Sequence, residues 1–162
     1  MKKFALAVFV CLSVLALSQD SSEPPGYGVY YKTGDSWQKL VYMTPTNVSS
    51  GAFSGVTLSY HGAESITQIA DHHPVFYFDS IPTASNMLIV VFEKKQDSRD
   101  VKVMRSRVVA VKGGPDKKHV VDVAVKELNN HLISIAPSRD LQSGEYLLTD
   151  TSGYGGYDFG VK

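Results

Sequence analysis

Cysteine is all but missing from this chain of 162 residues: its single example is Cys11, inside the first apolar run. From Gln19 onward, disulfides, Cys-ligated zinc and thiol nucleophiles are therefore excluded, and burial and hydrogen bonding must hold the fold together. An excess of one charge is missing too. Lys and Arg number 16 against 16 Asp and Glu, which excludes the basic footprint of a nucleic-acid or anionic-membrane binder. Long hydrophobic runs are confined to Phe4–Leu17, about fourteen residues, short of the roughly 20 that a bilayer-spanning helix needs. No integral membrane span is expected beyond it. Past Ser18, no segment sustains apolar residues at i, i+3, i+4 and i+7, the mark of an amphipathic helix.

What is present begins with a basic start at Lys2 and Lys3, the apolar run, and small residues at Ala16 and Ser18. This order predicts a secretory signal peptide over residues 1–18, cut before Gln19, and so a periplasmic or secreted protein. Cys11 does not suit a lipid anchor, because Phe9-Val10 precede it and more apolar residues follow. Cleavage would leave about 144 residues, a size that suits one domain around one core. Loss of Lys2 and Lys3 lowers the basic count to 14, so the processed chain is slightly acidic. Residues 19–26 are polar, and Pro24-Pro25 disfavours helix and strand alike, so they read as an N-terminal tether. Residues 27–162 read as the domain.

The domain sequence is a series of short β-like runs. Val29-Tyr30-Tyr31, the turn Gly34-Asp35-Ser36 and Trp37–Met43 predict a hairpin. Phe53–Tyr60 predicts another strand, and Ala63–Ala70 reads as strand in competition with a short helix. Val75-Phe76-Tyr77-Phe78 is the most strongly β-favouring tetrapeptide. Met87–Phe92 is continuously apolar, as a central strand covered on both faces should be. Val101–Val111 continues as strand, and Val121, Val123 and Val125 alternate with polar or small neighbours, predicting a strand with one wet face. Leu132–Ile135, Glu145–Thr149 and Tyr157–Val161 complete the set. Short strands spaced in this way predict an all-β fold: an immunoglobulin-like, Greek-key antiparallel sandwich, with a barrel-like closure as its variant.

Leu141-Gln142-Ser143-Gly144-Glu145-Tyr146 has the L-x-x-G-x-Y form of a tyrosine corner. In such a corner Leu141 packs inward, Gly144 permits the turn, and the Tyr146 hydroxyl reaches an upstream backbone group. Three pieces of the chain resemble small exported bacterial β proteins that remain uncharacterised. They are Gly28–Tyr31 with Gly34–Leu40, Pro74–Phe78, and Pro137 with Leu141–Tyr146 and Tyr157–Val161. The resemblance implies an exported β protein and brings no catalytic residues with it.

Candidate chemistry is sparse. Gly34-Asp35-Ser36 echoes the G-D-S nucleophile block of one lipase class, yet no helix follows it and no late Asp-x-x-His accompanies it; it reads as a turn. Asp71-His72-His73 with His61 upstream is the one cluster of metal-capable side chains, and a loop before Pro74 would let it bind Zn²⁺ or Cu²⁺. Gly153-Tyr154-Gly155-Gly156 is too glycine-rich for a core strand, which marks Tyr154 as an exposed aromatic suited to a partner contact. The other tyrosines and Trp37 are expected mainly in the core. It is not a phosphate loop, since no helix or lysine follows in register. Asn47-Val48-Ser49 fits the N-glycosylation pattern, though the Met-Lys-Lys start looks bacterial. The charges from Asp97 to Lys102 read as solvated turns.

These readings converge on an exported, non-catalytic β-sandwich that binds an envelope protein or a glycan. The alternative is a metal-binding protein using His61, Asp71, His72 and His73; otherwise no cofactor is expected. A third reading has the segment Gln19–Gly26 donated to the sheet edge of a neighbouring copy.

Overall fold

Residues 23–51, 55–81, 86–104 and 114–162 are described in a computed structural model of the chain. The predicted signal peptide with Cys11, residues 19–22, and residues 105–111 of the expected long strand lie outside the described residues. Among those described the fold is all-β, with a 3₁₀ turn at Lys117–His119 and no α-helix.

The strands form three sheets. Sheet A runs β13 (Val123–Glu127), β14 (Leu132–Pro137), β7 (Phe76–Asp79), β1 (Gly28–Thr33), β2 (Ser36–Lys39). Sheet B runs β12 (Val120–Val121), β8 (Met87–Val91), β15 (Gly144–Asp150), β16 (Gly156–Val161), β3 (Tyr42–Met43), and β6 (Gln68–Ile69) also pairs with β16. Sheet C runs β11 (Gly114–Pro115), β10 (Ser98–Met104), β5 (Gly55–His61), β4 (Asn47–Gly51), and β9 (Glu93–Lys94) also pairs with β10. Pairing is antiparallel throughout except between β6 and β16. The hairpin β1–β2 turns where the sequence places it: Thr33 pairs with Ser36, and Gly34 adopts φ +57°, a conformation that favours glycine.

Sheet B is the middle layer, and the two-residue period of its strands feeds two separate cores. Ile89, Tyr146, Leu148, Phe159 and Val161 pack with Val29, Tyr31, Phe76, Phe78 and Ile135 of sheet A. Their neighbours Val90 and Leu147 face the other way, with Phe92, onto Leu58, Tyr60 and Val101 of sheet C. The continuous apolar run at Met87–Phe92 has this cause, since a strand buried on both faces has no position to spare for polar residues.

Two segments bend from one sheet into the next. Chain 36–43 leaves sheet A as β2 and enters sheet B as β3, turning at the buried Leu40. Chain 120–127 leaves sheet B as β12 and enters sheet A as β13, turning at Asp122. The valine alternation at Val121–Val125 is thus not one half-buried strand: Val121 lies in the core, and Val125 is 42% exposed. The ladders remain separate sheets and do not close into a barrel. Other expectations shift in detail. Ala63–Ala70 contributes just the two residues of β6 as strand. The tether is docked at its end: Pro24 is buried, and Glu23 accepts a hydrogen bond from Asn129 Nδ2 at 3.0 Å.

Candidate functional site

Tyrosines gather where β3, β15 and β16 meet the loop 151–155. Tyr42 projects from the short strand β3 and is 57% exposed. Its ring meets Tyr157 edge to face at 5.2 Å between centroids, a favoured geometry because one ring's positive edge lies against the other's negative face. The Tyr42 hydroxyl lies over Gly155, where any Cβ would collide with it. Glycine at 155 is therefore what lets this ring settle. Tyr154 on the same loop is 56% exposed, as its glycine-rich setting predicts, and Tyr27 before β1 is 69% exposed. Burial raises the Tyr157 phenol above its ordinary value, and the nearby phenols of Tyr27 and Tyr42 add to the rise. Burial likewise raises Tyr60 beneath the surface, with Tyr42, Tyr154 and Asp150 contributing.

Tyr42 and Tyr157 line a hollow of about 90 Å³ together with Phe78, Ile81, Met87 and Asp150, and Gly155 and Gly156 complete it. Asp150 is exposed, and its Oδ1 accepts from Ser152 N at 2.8 Å and from Ser152 Oγ. The loop is held from within by Thr149 Oγ1, which donates to Gly155 O at 2.5 Å, and by Tyr60 Oη, which donates to Gly153 O at 3.1 Å. The surface thus offers rings, an exposed carboxylate and backbone on a braced loop. The sequence marked Tyr154; it did not separate Tyr27 and Tyr42 from the tyrosines that fill the core. Tyr30 and Tyr31 are buried, whereas Tyr42 follows a sheet-to-sheet bend that turns its side chain outward.

A second polar cluster is buried between sheets B and C. Arg99 on β10 is 1% exposed, which corrects the reading of Asp97–Lys102 as wholly solvated. Its Nη1 donates to Asp158 Oδ2 at 2.7 Å and lies 3.4 Å from Glu145 Oε2. Its Nε donates to Gly62 O at 3.0 Å, and its guanidinium stands 5.0 Å from the centroid of the Phe92 ring. Glu145 also accepts from Ser65 N at 2.7 Å and from Gln68 Nε2 at 3.2 Å. Glu145 lines a cleft of about 830 Å³ beside the Leu141–Tyr146 corner. A carboxylate with both oxygens engaged in this way is a structural brace rather than a free base. A period-two reading does reveal the cluster: Arg99 shares its face of β10 with Val101 and Val103, and Glu145 shares its face of β15 with Leu147.

The histidines are not brought into one site. His72 Nδ1 lies 2.7 Å from Leu141 O, and Leu141 N donates back to His72 O at 2.7 Å. His73 Nδ1 lies 3.0 Å from Asp140 Oδ1, and His73 N donates to Asp71 Oδ1 at 2.8 Å. His61, by contrast, is exposed at the end of β5 and gives its carbonyl to Arg99 Nη2 at 3.3 Å. Among the described residues no three His, Cys, Asp or Glu side chains stand where they could hold a metal ion. The loop expected to bind metal instead staples the corner. Leu141 is buried, and the Tyr146 hydroxyl donates to Gln142 O at 2.6 Å. Gly144 is not needed for the turn: it has no positive φ, and a Cβ there would meet the Tyr146 ring at an ordinary 3.7 Å.

Comparison of the chain with protein-family models, curated proteins and solved structures finds no match. No helix among the described residues is long and apolar enough to cross a membrane.

Proposed function

We propose that this chain is an exported, non-catalytic β-sandwich module that binds a glycan through its tyrosine-rich end. The observation that carries the reading is the exposed ring of Tyr42 at the Asp150 hollow, with Tyr154 exposed on the loop that forms its rim and Tyr27 exposed before β1. Ring faces stack on the C–H faces of sugars, while an exposed carboxylate and loop backbone meet sugar hydroxyls. The basic start and apolar run of residues 1–18 support export to the periplasm or beyond. So does the resemblance of Gly28–Tyr31 with Gly34–Leu40, Pro74–Phe78, and Pro137 with Leu141–Tyr146 and Tyr157–Val161 to exported bacterial β proteins. The corner at Leu141–Tyr146 supports an immunoglobulin-like, Greek-key arrangement of the sandwich. Engagement of Glu145 and Asp158 by Arg99 supports a non-catalytic role.

Calorimetric titration with soluble oligomers of glucose and of N-acetylglucosamine tests this. Binding is expected for at least one series. Tyr42→Ala and Tyr154→Ala should each weaken it at least about tenfold, the equivalent of ~1.4 kcal/mol. The reading fails if neither series binds, or if binding is indifferent to both substitutions.

A further inference from the structure

The edges of the three sheets are not treated alike. An edge strand offers unpaired N–H and C=O groups to any other strand, and proteins blunt such edges with charge, proline or brevity. In sheet A, β2 carries Lys39, and β13 carries Lys126 and Glu127. In sheet B, β12, β3 and β6 are two residues each. At the far side of sheet C, β11 carries Pro115, and β9 is the charged pair Glu93–Lys94. The edge strand β4 has none of these devices. It is five residues, Asn-Val-Ser-Ser-Gly, paired with β5 on one side and with no strand among the described residues on the other. Val48 at its heart is 50% exposed. The lack of charge extends well past the strand: no Asp, Glu, Lys or Arg occurs between Lys39 and Glu64.

We infer that β4 pairs antiparallel with β4 of a second copy, joining two C sheets into one. A two-fold axis at Ser49 sets Ser49 against its counterpart, Val48 against Ser50, and Asn47 against Gly51. A two-fold axis sets a strand against itself, so a charged strand would meet like charges close by. This strand meets none at any register. The nearest charged strand, β10, lies two places in from the edge. Across the joined sheet the two β10 strands are five spacings apart, roughly 24 Å, against a screening length of roughly 8 Å at physiological ionic strength. Repulsion between the copies is therefore small. Val48, left half bare by the single chain, gains a neighbour on its open side. A charged partner peptide would find nothing on this edge to pair with, which favours a second copy over an acidic or basic ligand.

The test uses the chain from Gln19 onward, which holds every described strand and has no cysteine of its own. Sedimentation equilibrium over rising concentration should show a monomer–dimer equilibrium, and Val48→Lys should weaken dimerisation at least about tenfold without changing the far-ultraviolet spectrum. Residues directly opposite across antiparallel strands have Cα atoms about 4.5–5.5 Å apart, within the span of a disulfide. Ser49→Cys should therefore give a disulfide-linked dimer on mild oxidation, whereas Ser59→Cys, one strand further in, should not. A protein that stays monomeric at all concentrations overturns the inference. So does a dimer indifferent to Val48→Lys, or one in which Ser49→Cys cross-links no better than Ser59→Cys.

Discussion

The two faces of sheet B solve the same burial problem with different materials. Toward sheet A the interface is aromatic and aliphatic, with Phe76 and Phe159 at 4.7 Å between centroids and Tyr146 stacked on Phe159 at 5.4 Å. Toward sheet C the apolar cluster is smaller among the described residues, and Arg99 with Glu145 and Asp158 is buried beside it. An apolar interface is tolerant of register and partner, because dispersion and water exclusion carry no direction. A buried guanidinium is not. Its attraction to Asp158 and Glu145 largely offsets desolvation, so its net contribution is modest, yet losing one member leaves uncompensated charge. The A side thus supplies stability, and the C side supplies position: sheet C is seated on sheet B where Arg99 finds Asp158 and Glu145, while the carbonyls of His61 and Gly62 hold the guanidinium within sheet C.

The sharpest way to break this contrast is Arg99→Met. It strands Glu145 and Asp158 in the interior and should cost about 3–5 kcal/mol, read by urea denaturation. The triple variant Arg99→Met, Glu145→Gln, Asp158→Asn should recover part of that loss, since it removes the stranded charges but leaves one acceptor at position 145 where Glu145 offers two, to Ser65 N and Gln68 Nε2. A single-variant loss below about 1 kcal/mol would show that the triad is not sealed from water. On the other face, Leu148→Ala removes a fully buried side chain and should cost about 2–5 kcal/mol. There, addition of Tyr146→Phe should give a nearly additive further loss of about 1 kcal/mol from the hydrogen bond to Gln142.

Legibility divides along the same line. The A-facing core was readable because Val75–Phe78 is strongly β-favouring and Tyr157–Val161 is apolar at the period of a strand. The continuous run at Met87–Phe92 even announced a strand covered twice. The C-facing interior was hidden because Arg99 sits among Asp97, Asp100 and Lys102, and single charged residues default to solvent. Only knowing that Val101 and Val103 point inward puts Arg99 on the same side. The tyrosine end was half readable. Glycine neighbours exposed Tyr154, but the exposure of Tyr42 depends on the bend after Lys39, which no local pattern records. The histidine loop misled because Asp71-His72-His73 looks chelating in sequence, while His72 and His73 turn to Leu141 and Asp140.

Two smaller effects sharpen the comparison. Gly34→Ala in the first hairpin should cost about 1 kcal/mol, since φ there is +57°; thermal denaturation reads it. Tyr60→Phe should have a similarly small cost at neutral pH, through loss of the bond to Gly153 O. In alkali its sign should change. The folded-state pKa of Tyr60 lies above the ordinary value of 10.0 because burial disfavours the phenolate. Stability from this group is complete below pH 10 and declines as pH rises beyond it toward the folded value, because the unfolded chain gives up its proton first. Urea titrations across that window should show the native protein losing stability more steeply than Tyr60→Phe, with Tyr146, Tyr157 and the Glu93-paired Lys102 contributing to what decline remains.

The bent strands set how the molecule comes apart. Chain 36–43 and chain 120–127 each hold hydrogen bonds in both A and B, and β8 runs through Phe92 into β9 of sheet C. Fraying of one sheet therefore pulls on a ladder in its neighbour, and the layers are denied separate melting. Slow amide exchange should spread across all three layers with one common opening energy, rather than falling into a protected sandwich and a loose cover.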